Sequence, residues 1–436
     1  MQLVNQRSWG RVTTAQHEII RLAHRLSRLD HLPKARSWLA FGNGRSYGDS
    51  CLNDGGLVFH TRGLNRFLAF DTETGIIACE AGALLSEIVA LVVPRQWFLP
   101  VTPGTQFVTV GGALANDVHG KNHHQAGSFG AHVLRFELLR STGERLLCSR
   151  ALNPDLFYAT IGGLGLTGVV QWVELKLVRM PSPVLDVETI RFQSLDEFFL
   201  LCAESDLTHE YTVAWIDALA RSRNGPRGHF IRASIMREPA RAHFHAPARQ
   251  YSIPVDPPWS LVNRATVRIF NTAYYHRHSA RRRSAQHFAS FFYPLDRLGN
   301  WNRLYGKRGF FQFQCVVPTA DAERTLAEIF RVIQASGETS FLTVLKRFGT
   351  VQAPGMLSFA RPGFTLALDF PNCGASTLAL LGRLEDITMA AGGAIYPAKD
   401  QRMSAAAFHR SFPNLPTFRK FVDPQFSSGL WRRVNG

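Results

Sequence analysis

The chain has 436 residues, of which 45% are hydrophobic and 19% are charged, and its 49 basic and 33 acidic side chains give a formal net charge of +16. This composition excludes a disordered chain, and the length suits two domains with buried cores. No apolar run reaches the roughly 18 to 20 residues needed to cross a bilayer, and the basic excess predicts an anionic partner, whether phosphate group, nucleic acid or membrane surface.

The N-terminal ten residues contain no basic head followed by an apolar stretch and a small-residue cleavage site, so we expect a cytoplasmic protein. The six cysteines are scattered without a C-x-x-C pair. This spacing favours reduced, buried thiols over disulfides or a cysteine zinc site.

Up to about residue 180, short β-rich runs alternate with glycine-bearing turns. Strands are predicted at 37–41, 56–60, 67–71, 76–80, 97–101, 133–140 and 168–180. Helical patterns at 84–93 and 110–116 lie between them. The mixture predicts an α+β domain.

Three glycine-rich segments interrupt these elements. They are F-G-N-G-R-S-Y-G-D-S at 41–50, the stretch from P-G-T to H-G-K-N at 103–122, and G-G-L-G-L-T-G at 162–168. Glycine lets the backbone approach a ligand closely, and consecutive N–H groups can bind an anion. The first segment spaces its glycines two and then four apart, which argues against a Rossmann nucleotide site. Three such loops in one domain predict a large ligand wrapped by backbone.

The stretch D-V-H-G-K-N-H-H at 117–124 places two histidines, His119 and His123, four residues apart. A zinc site on a helix is one interpretation. Gly120 interrupts the supposed helix, and neither a third ligand nor an H-E-x-x-H glutamate is evident. We therefore predict no metal site here.

From about residue 180 the chain becomes richer in aromatics, with alternating runs at 310–317 and 364–370. A Pro- and Arg-rich piece at 237–259 predicts a mobile surface loop. The run Y-Y-H-R-H-S-A-R-R-R at 274–283 is either a solvated helix face or a dock for lipid phosphates.

The chain resembles the decaprenylphosphoryl-β-D-ribose 2′-oxidase family, within the vanillyl-alcohol-oxidase type of flavoprotein. The motifs that carry the resemblance span nearly the whole chain: G-R-S-Y-G-D, P-G-T-x-x-V-T-V-G-G-A, D-x-H-G-K-N-H-H, G-G-x-G-L-T-G, A-W-I-D-A, Y-P-L-D-R-L-G-N-W-N-R-L-Y-G, F-F-Q-F-Q, L-D-F-P and F-V-D-P. The resemblance implies an α+β fold with a two-subdomain PCMH-type FAD-binding domain and a substrate domain built on an antiparallel sheet with flanking helices. We expect the FAD-binding domain at 1–180, the substrate domain at 181–399, and a C-terminal segment at 400–436 that returns to the first.

The resemblance also implies noncovalent FAD, since Arg45 stands where relatives that tether their flavin carry a histidine. The cofactor contacts that it implies are Gly42, Asn43, Gly44, Arg45, Ser46, Tyr47, Gly48, Asp49, Ser50, Gly104, Thr105, Thr109, Val110, Gly111, Gly112, Asn116, Asp117, Val118, His119 and Val170.

Other matched positions fall where the family binds its substrate. Trp215, Arg303, Thr365 and Ala367 are expected to line the pocket, while the expected catalytic residues are His119, Lys121, Tyr47, Lys346, Gln312, Gln314 and Asp369. Oxidation of an alcohol develops negative charge, which Lys121 and His119 are predicted to stabilise. Tyr47 is predicted to position the hydroxyl or relay its proton, Lys346 to hold a phosphate or sugar hydroxyl, the two glutamines to bind a polyol, and Asp369 to orient a lysine.

The sequence departs from the family at two places near this pocket. Thr365-Leu366-Ala367 replaces an Asn-x-Cys, and Phe421 replaces a lysine before V-D-P, with Lys420 one position earlier. These departures bear on the identity of the substrate more than on the type of reaction.

The resemblance implies an FAD-dependent oxidoreductase that oxidises the 2′-hydroxyl of a polyprenylphosphoryl-ribose to a ketone. We expect a nicotinamide-dependent ketoreductase as partner, a quinone or oxygen as electron acceptor, no nucleic acid, and peripheral contact with the inner face of the plasma membrane. One alternative is a soluble alditol, aldonolactone or nucleotide sugar as substrate. Another is a basic nucleic-acid- or membrane-binding protein whose glycine loops are only turns.

Overall fold

The computed structural model describes residues 2–220, 225–237 and 251–435. The strands in this part of the chain are β1 (Gln2–Arg7), β2 (Thr14–Arg21), β3 (Trp38–Phe41), β4 (Leu57–His60), β5 (Phe67–Asp71), β6 (Ile76–Glu80), β7 (Trp97–Phe98), β8 (Val133–Leu139), β9 (Arg145–Ser149), β10 (Val169–Lys176), β11 (Val178–Arg179), β12 (Val184–Phe192), β13 (Tyr211–Asp217), β14 (Arg227–Ile235), β15 (Tyr251–Ser252), β16 (Arg281–His287), β17 (Leu298–Gly299), β18 (Phe310–Val317), β19 (Thr343–Phe348), β20 (Gly363–Pro371) and β21 (Ala394–Ile395).

The α-helices described are α1 (Leu85–Val92), α2 (Val110–Ala115), α3 (His123–Ala126), α4 (Pro154–Thr160), α5 (Leu195–Ser205), α6 (Arg264–His276), α7 (Phe288–Phe292), α8 (Ala322–Ser336), α9 (Ala375–Ala390), α10 (Ala405–Ser411), α11 (Leu415–Phe418) and α12 (Gly429–Val434). No helix among the described residues is long and apolar enough to span a bilayer.

Two sheets form the N-terminal part. The first has the order β1-β2-β4-β3, with β2 and β3 parallel to β4. The second, β5-β6-β10-β8-β9, is antiparallel throughout, and its apolar side chains pack against α1 and α2. Residues of the glycine loops that follow β3 and precede α2 and β10 border the same space as residues of β18 and β19 in the second part of the chain.

An antiparallel sheet of eight strands forms the second part, in the order β16-β12-β14-β13-β19-β20-β18-β21. In β18, F-F-Q-F-Q-C-V-V, Phe311, Phe313 and Cys315 join the core that includes α8 and α9. Because side chains alternate along a strand, Gln312 and Gln314 project from the opposite face. That polar face is turned toward the glycine loops. The α+β class and the antiparallel sheet with flanking helices agree with the prediction.

The last residues run back along the N-terminal part. Phe426 bridges to Trp38 of β3, and Ser427 N–H donates to the Trp38 carbonyl. On α12, Arg433 forms ion pairs with Asp49 of the first glycine loop and with Asp400. These contacts connect the end of the chain to the loop after β3.

The predicted strands agree with the structure to within one or two residues, except that 97–101 yields only the two-residue β7 and 168–180 divides into β10 and β11. In the part of the chain up to residue 180, β1, β2 and β9 were not predicted, and after it the strands β12, β13, β14 and β16 were not predicted either. The run at 274–283 is not one helix face: it comprises the end of α6, a turn and the start of edge strand β16, where Arg281 and Arg283 pair with Glu188 and Asp186. Of the predicted loop at 237–259, residues 238–250 lie outside the described part, and β15 follows them.

Candidate functional site

A cavity of about 550 Å³ lies between the glycine loops and the polar face of the eight-stranded sheet. Most of the predicted cofactor contacts line it: Gly42, Asn43, Gly44, Arg45, Ser46, Tyr47, Ser50, Gly104, Thr105, Thr109, Gly111, Gly112, Asn116, Val118, His119 and Val170. Glycine loops that are far apart in the sequence therefore form one wall.

The glycines on this wall leave room for a ligand. A Cβ atom added at Gly104 or Gly165 would meet no atom within 4 Å, although both residues border the cavity. At Gly111 a Cβ would lie 3.0 Å from the Cβ of Ala81, the residue after β6, so a side chain there would force α2 and this segment slightly apart. The hydroxyl of Thr109 accepts the Gly112 N–H and fixes the start of α2.

Side chains at the wall's edge hold the first glycine loop in place. The Asn43 amide donates to the Phe107 carbonyl, linking the first and second glycine loops. The Arg45 guanidinium lies 4.2 Å from the centre of the Trp9 ring, in cation–π geometry. Burial lowers the pKa of Arg45, with nearby Asp296 opposing that effect.

The opposite wall is built from three adjacent strands. In register, Val344 of β19 lies beside Ala367 of β20, which lies beside Gln314 of β18. Gln312 and Lys346, two residues along their strands, line the cavity as well. Antiparallel pairing thus assembles a short polar surface from residues far apart in sequence.

A hydrogen-bonded row connects this wall to the histidine of D-V-H-G-K. The Gln314 amide nitrogen lies 2.9 Å from His119 Nε2 and 3.1 Å from the Thr365 hydroxyl. Because the amide donates, Nε2 is the acceptor and the proton of the neutral ring is on Nδ1. Burial, followed by the charges of Lys346, His123 and Lys399, lowers the pKa of His119 well below its usual value. The imidazole is therefore neutral at physiological pH.

A second polar group surrounds Tyr47. Gln312 donates to Asp369, and Gln312 also hydrogen-bonds to the Tyr47 hydroxyl. The Lys399 ammonium lies 3.8 Å from the centre of the Tyr47 ring. Burial raises the pKa of Asp369 and lowers the pKa of Lys399, and attraction between the two charges opposes both shifts.

Three half-buried lysines lie on or near the polar wall. Burial lowers the pKa of Lys346 to about 8, and burial together with Lys346 lowers the pKa of Lys121 to about 7. Lys346 and Lys399 border the cavity. Desolvated cations of this kind interact strongly with any negative charge that develops beside them.

Several predicted site residues lie away from the cavity wall. Lys121 donates to the carbonyls of Phe291 and Phe292 and lies against their rings. Trp215 of β13 pairs with Val344 of β19, but its ring packs on the rings of His229 and Tyr274. Arg303 donates to the Ile253 and Pro254 carbonyls. Asp369 and Thr365 lie beside the two glutamines on the same face of the sheet and hydrogen-bond to them, but they do not border the cavity.

Four predicted cofactor contacts also lie behind the wall: Gly48, Asp49, Val110 and Asp117. Gly48 is pressed against the Asp400 carbonyl, Asp49 pairs with Arg433, and Val110 is in the core. Asp117, with a φ of 39°, accepts from Ser128, Ser358 and the Gly130 N–H. It anchors the turn that presents His119.

The two following histidines have structural partners. His123 Nδ1 accepts the Gly349 N–H, and its ring packs at 4.2 Å on Phe348. His124 Nε2 lies 3.0 Å from the His209 carbonyl. These contacts connect the residues after D-V-H-G-K to β19 and to the turn before β13.

Several residues that line the cavity were not among the predicted site residues, and Tyr396 and Lys399 are two of them. Lys399 follows a short apolar run, A-I-Y-P-A. A single lysine next to such a run was the sequence feature that could have indicated a half-buried cation. Lys420, which the V-D-P motif brought to attention, is exposed. Tyr396 lies 5.3 Å from the His119 ring and donates its hydroxyl to the Asn116 carbonyl.

The cavity suits a large, polar, planar cofactor such as FAD. Side chains at Gly104 and Gly165 would occupy space beside the glycine wall that the glycines leave open. Buried polar atoms of residues around it have no partner among the described residues: Arg45 Nε, Ser50 Oγ and His119 Nδ1. These donors and the open backbone fit the demands of a diphosphate and a flavin ring.

Comparison with known proteins gives the same picture. Residues 25–149 match a family model described as an FAD binding domain. The chain is 37% identical over 417 residues to a decaprenylphosphoryl-β-D-ribose oxidase of Mycolicibacterium smegmatis, covering 92% of this chain and 89% of that protein. An uncharacterized protein in the mprA 5′ region of Streptomyces coelicolor is 36% identical over 80% of this chain and 99% of its own length. The mouse L-gulonolactone oxidase is 32% identical over 31% of each chain.

Proposed function

The chain belongs to the decaprenylphosphoryl-β-D-ribose oxidase family and is an FAD-dependent oxidoreductase, and from this we propose that it oxidises the 2′-hydroxyl of a polyprenylphosphoryl-β-D-ribose to a ketone. The observation that carries the proposal is a single cavity with a glycine wall on one side and Gln312, Gln314, Lys346 and Lys399 on the other. When bound, FAD accepts the hydride from the carbon that carries the hydroxyl.

The polar wall supplies groups for a sugar. Gln312 and Gln314 project from one strand face. Their amide nitrogens already donate to Asp369, His119 and Thr365, so their amide oxygens are the groups that can accept hydrogen bonds from vicinal hydroxyls. Lys346, two residues from Val344 in the same strand, is placed to attract a hydroxyl or the phosphate. The apolar Val344 and Ala367 between them limit how many waters accompany the sugar.

The proton of the reacting hydroxyl needs an acceptor while carbon loses its hydride. Neutral His119 has its acceptor nitrogen, Nε2, occupied by Gln314, so we assign it to positioning Gln314. Tyr47 is proposed to position the reacting hydroxyl, with its own orientation fixed by Gln312, whose amide also donates to Asp369. The proton passes to the neutral amine of Lys346, which borders the cavity and whose pKa burial lowers to about 8. Lys399 stabilises the developing negative charge at this end of the cavity.

We also propose the accessory properties that follow from this reaction. The flavin is held noncovalently, because Arg45 offers no nucleophile suited to a flavin linkage. A quinone or oxygen accepts its electrons, and a nicotinamide-dependent ketoreductase takes up the ketone. Lys121 keeps its predicted role as a stabilising cation only if its ammonium leaves the Phe291 carbonyl when substrate binds.

A second candidate substrate is a soluble sugar or alditol. The short side chains of Thr365 and Ala367 on β20 favour this candidate. They fill less of the space beside the glutamines than longer side chains would. Activity on the FAD-loaded enzyme should be compared between a polyprenylphosphoryl-ribose and ribose 5-phosphate, with the product trapped by borodeuteride. We expect deuterium at C2′ of the lipid-linked sugar; comparable turnover of the soluble sugar would favour the second candidate.

A further inference from the structure

Large apolar side chains are exposed together on one stretch of the chain. The exposed fraction is 69% for Val255, 71% for Trp259 and 71% for Ile269, and Leu261 and Phe270 are exposed as well. Single exposed apolar residues are ordinary on a protein surface, whereas a cluster indicates a binding surface.

Unpaired cations accompany this cluster. Arg264 and Arg268, four residues apart on α6, form no ion pair with any described residue, and neither do Lys307 and Arg308. The α6 sequence R-A-T-V-R-I-F-N-T-A-Y-Y-H contains no acidic residue. Three of these cations share a cavity of about 530 Å³ with Trp259: Arg264, Lys307 and Arg308. We call the five apolar and four basic residues together the docking face.

The docking face adjoins the cavity of the active site. The segment from β15 to Leu261 runs beside residues 298–306: β15 pairs with β17, Leu261 N–H donates to the Leu304 carbonyl, and the Trp259 backbone lies against Gly306. Ser252 of β15 and residues 298–301 line the large cavity. The segment from Ser252 to Leu261 therefore borders the active-site cavity at its first residue and contributes to the docking face near its end.

The mixture of groups selects one class of partner. An indole and aliphatic side chains partition into the headgroup and acyl boundary of a bilayer, while arginine and lysine beside them contact lipid phosphates. A nucleic acid would leave Val255 and Ile269 without apolar partners. The absence of acidic side chains on α6 fits an anionic surface.

We propose that the docking face binds an anionic phospholipid bilayer and turns the mouth of the active-site cavity toward it. The inference rests on the proposed function, because a lipid-linked sugar then enters the cavity while its polyprenyl chain stays in the membrane. Contact involves the side chains around α6 and requires no helix that crosses the bilayer.

Vesicle binding of the FAD-loaded enzyme tests the docking face. Vesicles of equal parts phosphatidylcholine and phosphatidylglycerol should sediment with the protein, and vesicles of phosphatidylcholine alone should bind it much more weakly. The double variant Trp259→Ser/Ile269→Ser should lose about tenfold in affinity, as should Arg264→Gln/Arg268→Gln. The matched control is Leu200→Ser/Leu207→Ser, whose side chains are 70% and 94% exposed near α5; it should bind like the wild type.

Three results would overturn the docking face: no binding by the wild type to anionic vesicles, an equal loss in the Leu200/Leu207 control, or a Trp259/Ile269 variant that only converts a dimer to a monomer. Flavin reduction by a short-chain, water-soluble lipid-phosphate ribose should be unchanged in all these variants. Failure of that reaction in the wild type would instead contradict the proposed function, while vesicle binding would still support the docking face.

Discussion

Half-buried lysines dominate the chemistry at the scale of single residues. Lys346 and Lys399 border the cavity, and each has its pKa lowered by burial. A desolvated ammonium stabilises an adjacent anion by far more than a hydrated one. We propose that these lysines supply the positive charge that the reaction needs, because His119 is neutral.

Replacing Lys399 with methionine should remove charge without leaving a void. We expect Lys399→Met to retain FAD and to slow flavin reduction by substrate about 100-fold, the usual cost of losing one electrostatic contact to a transition state. Rapid mixing under anaerobic conditions measures this rate. Lys420→Met, at an exposed lysine, serves as the control, and reduction of the Lys399 variant at the wild-type rate would remove Lys399 from the mechanism.

His123 makes the fold sensitive to acid. Burial, then Lys346 and His124, lower its pKa from 6.5 to about 3. Between these values the unfolded chain binds a proton that the folded chain does not, so stability is full above pH 6.5 and decreases as the pH falls toward 3.

In His123→Gln, the glutamine amide oxygen can still accept a hydrogen bond from the Gly349 N–H. The glutamine cannot take up a proton when the chain unfolds. We expect the free energy of unfolding to fall less between pH 7 and pH 4.5 than in the wild type, by about 1–3 kcal/mol. Urea unfolding at the two pH values measures the difference. His31→Gln, at an exposed histidine, should keep the wild-type dependence; an unchanged slope in the His123 variant would contradict the assignment.

At the scale of elements, the glycine loops matter because of the space they leave. Gly104→Val adds a side chain where no atom lies within 4 Å, so the protein should fold normally and lose FAD affinity by at least about tenfold. Equilibrium titration of the apoprotein with FAD, monitored by flavin fluorescence, measures the affinity.

The matched variant Gly382→Ala lies in the middle of α9, where the nearest atom to a new Cβ is 3.9 Å away. It should bind FAD like the wild type and be more stable by about 0.5–1 kcal/mol, because alanine favours the helix. Full FAD affinity in Gly104→Val would show that the cofactor does not occupy this wall.

Local patterns predicted much of the fold. The alternation in F-F-Q-F-Q identified both the strand and the residues on its polar face, since one face packs on helices and the other does not. Strands β1, β2 and β9 were missed because their sequences, such as Q-L-V-N-Q-R, alternate polar and apolar residues too weakly. The Asp369–Gln312 contact and the position of Lys399 depend on pairing between distant strands and on the returning C-terminal segment, which no local pattern contains.

At the scale of the whole molecule, the described residues form a cavity with two unlike walls, and the strip of chain from Ser252 to Leu261 connects it to a basic, apolar face. The net charge of +16 would suit many anionic partners. We propose that the docking face around Trp259 and α6 directs this general attraction to a bilayer that presents the substrate.

The central claim is that hydride leaves C2′ of a lipid-linked ribose and reaches the bound flavin. Anaerobic mixing of the FAD-loaded enzyme with polyprenylphosphoryl-ribose should bleach the flavin absorbance in a single turnover. Substrate deuterated at C2′ should bleach it several-fold more slowly, while deuterium at C3′ should have no effect. No bleaching, or an isotope effect from C3′ alone, would contradict the proposed reaction.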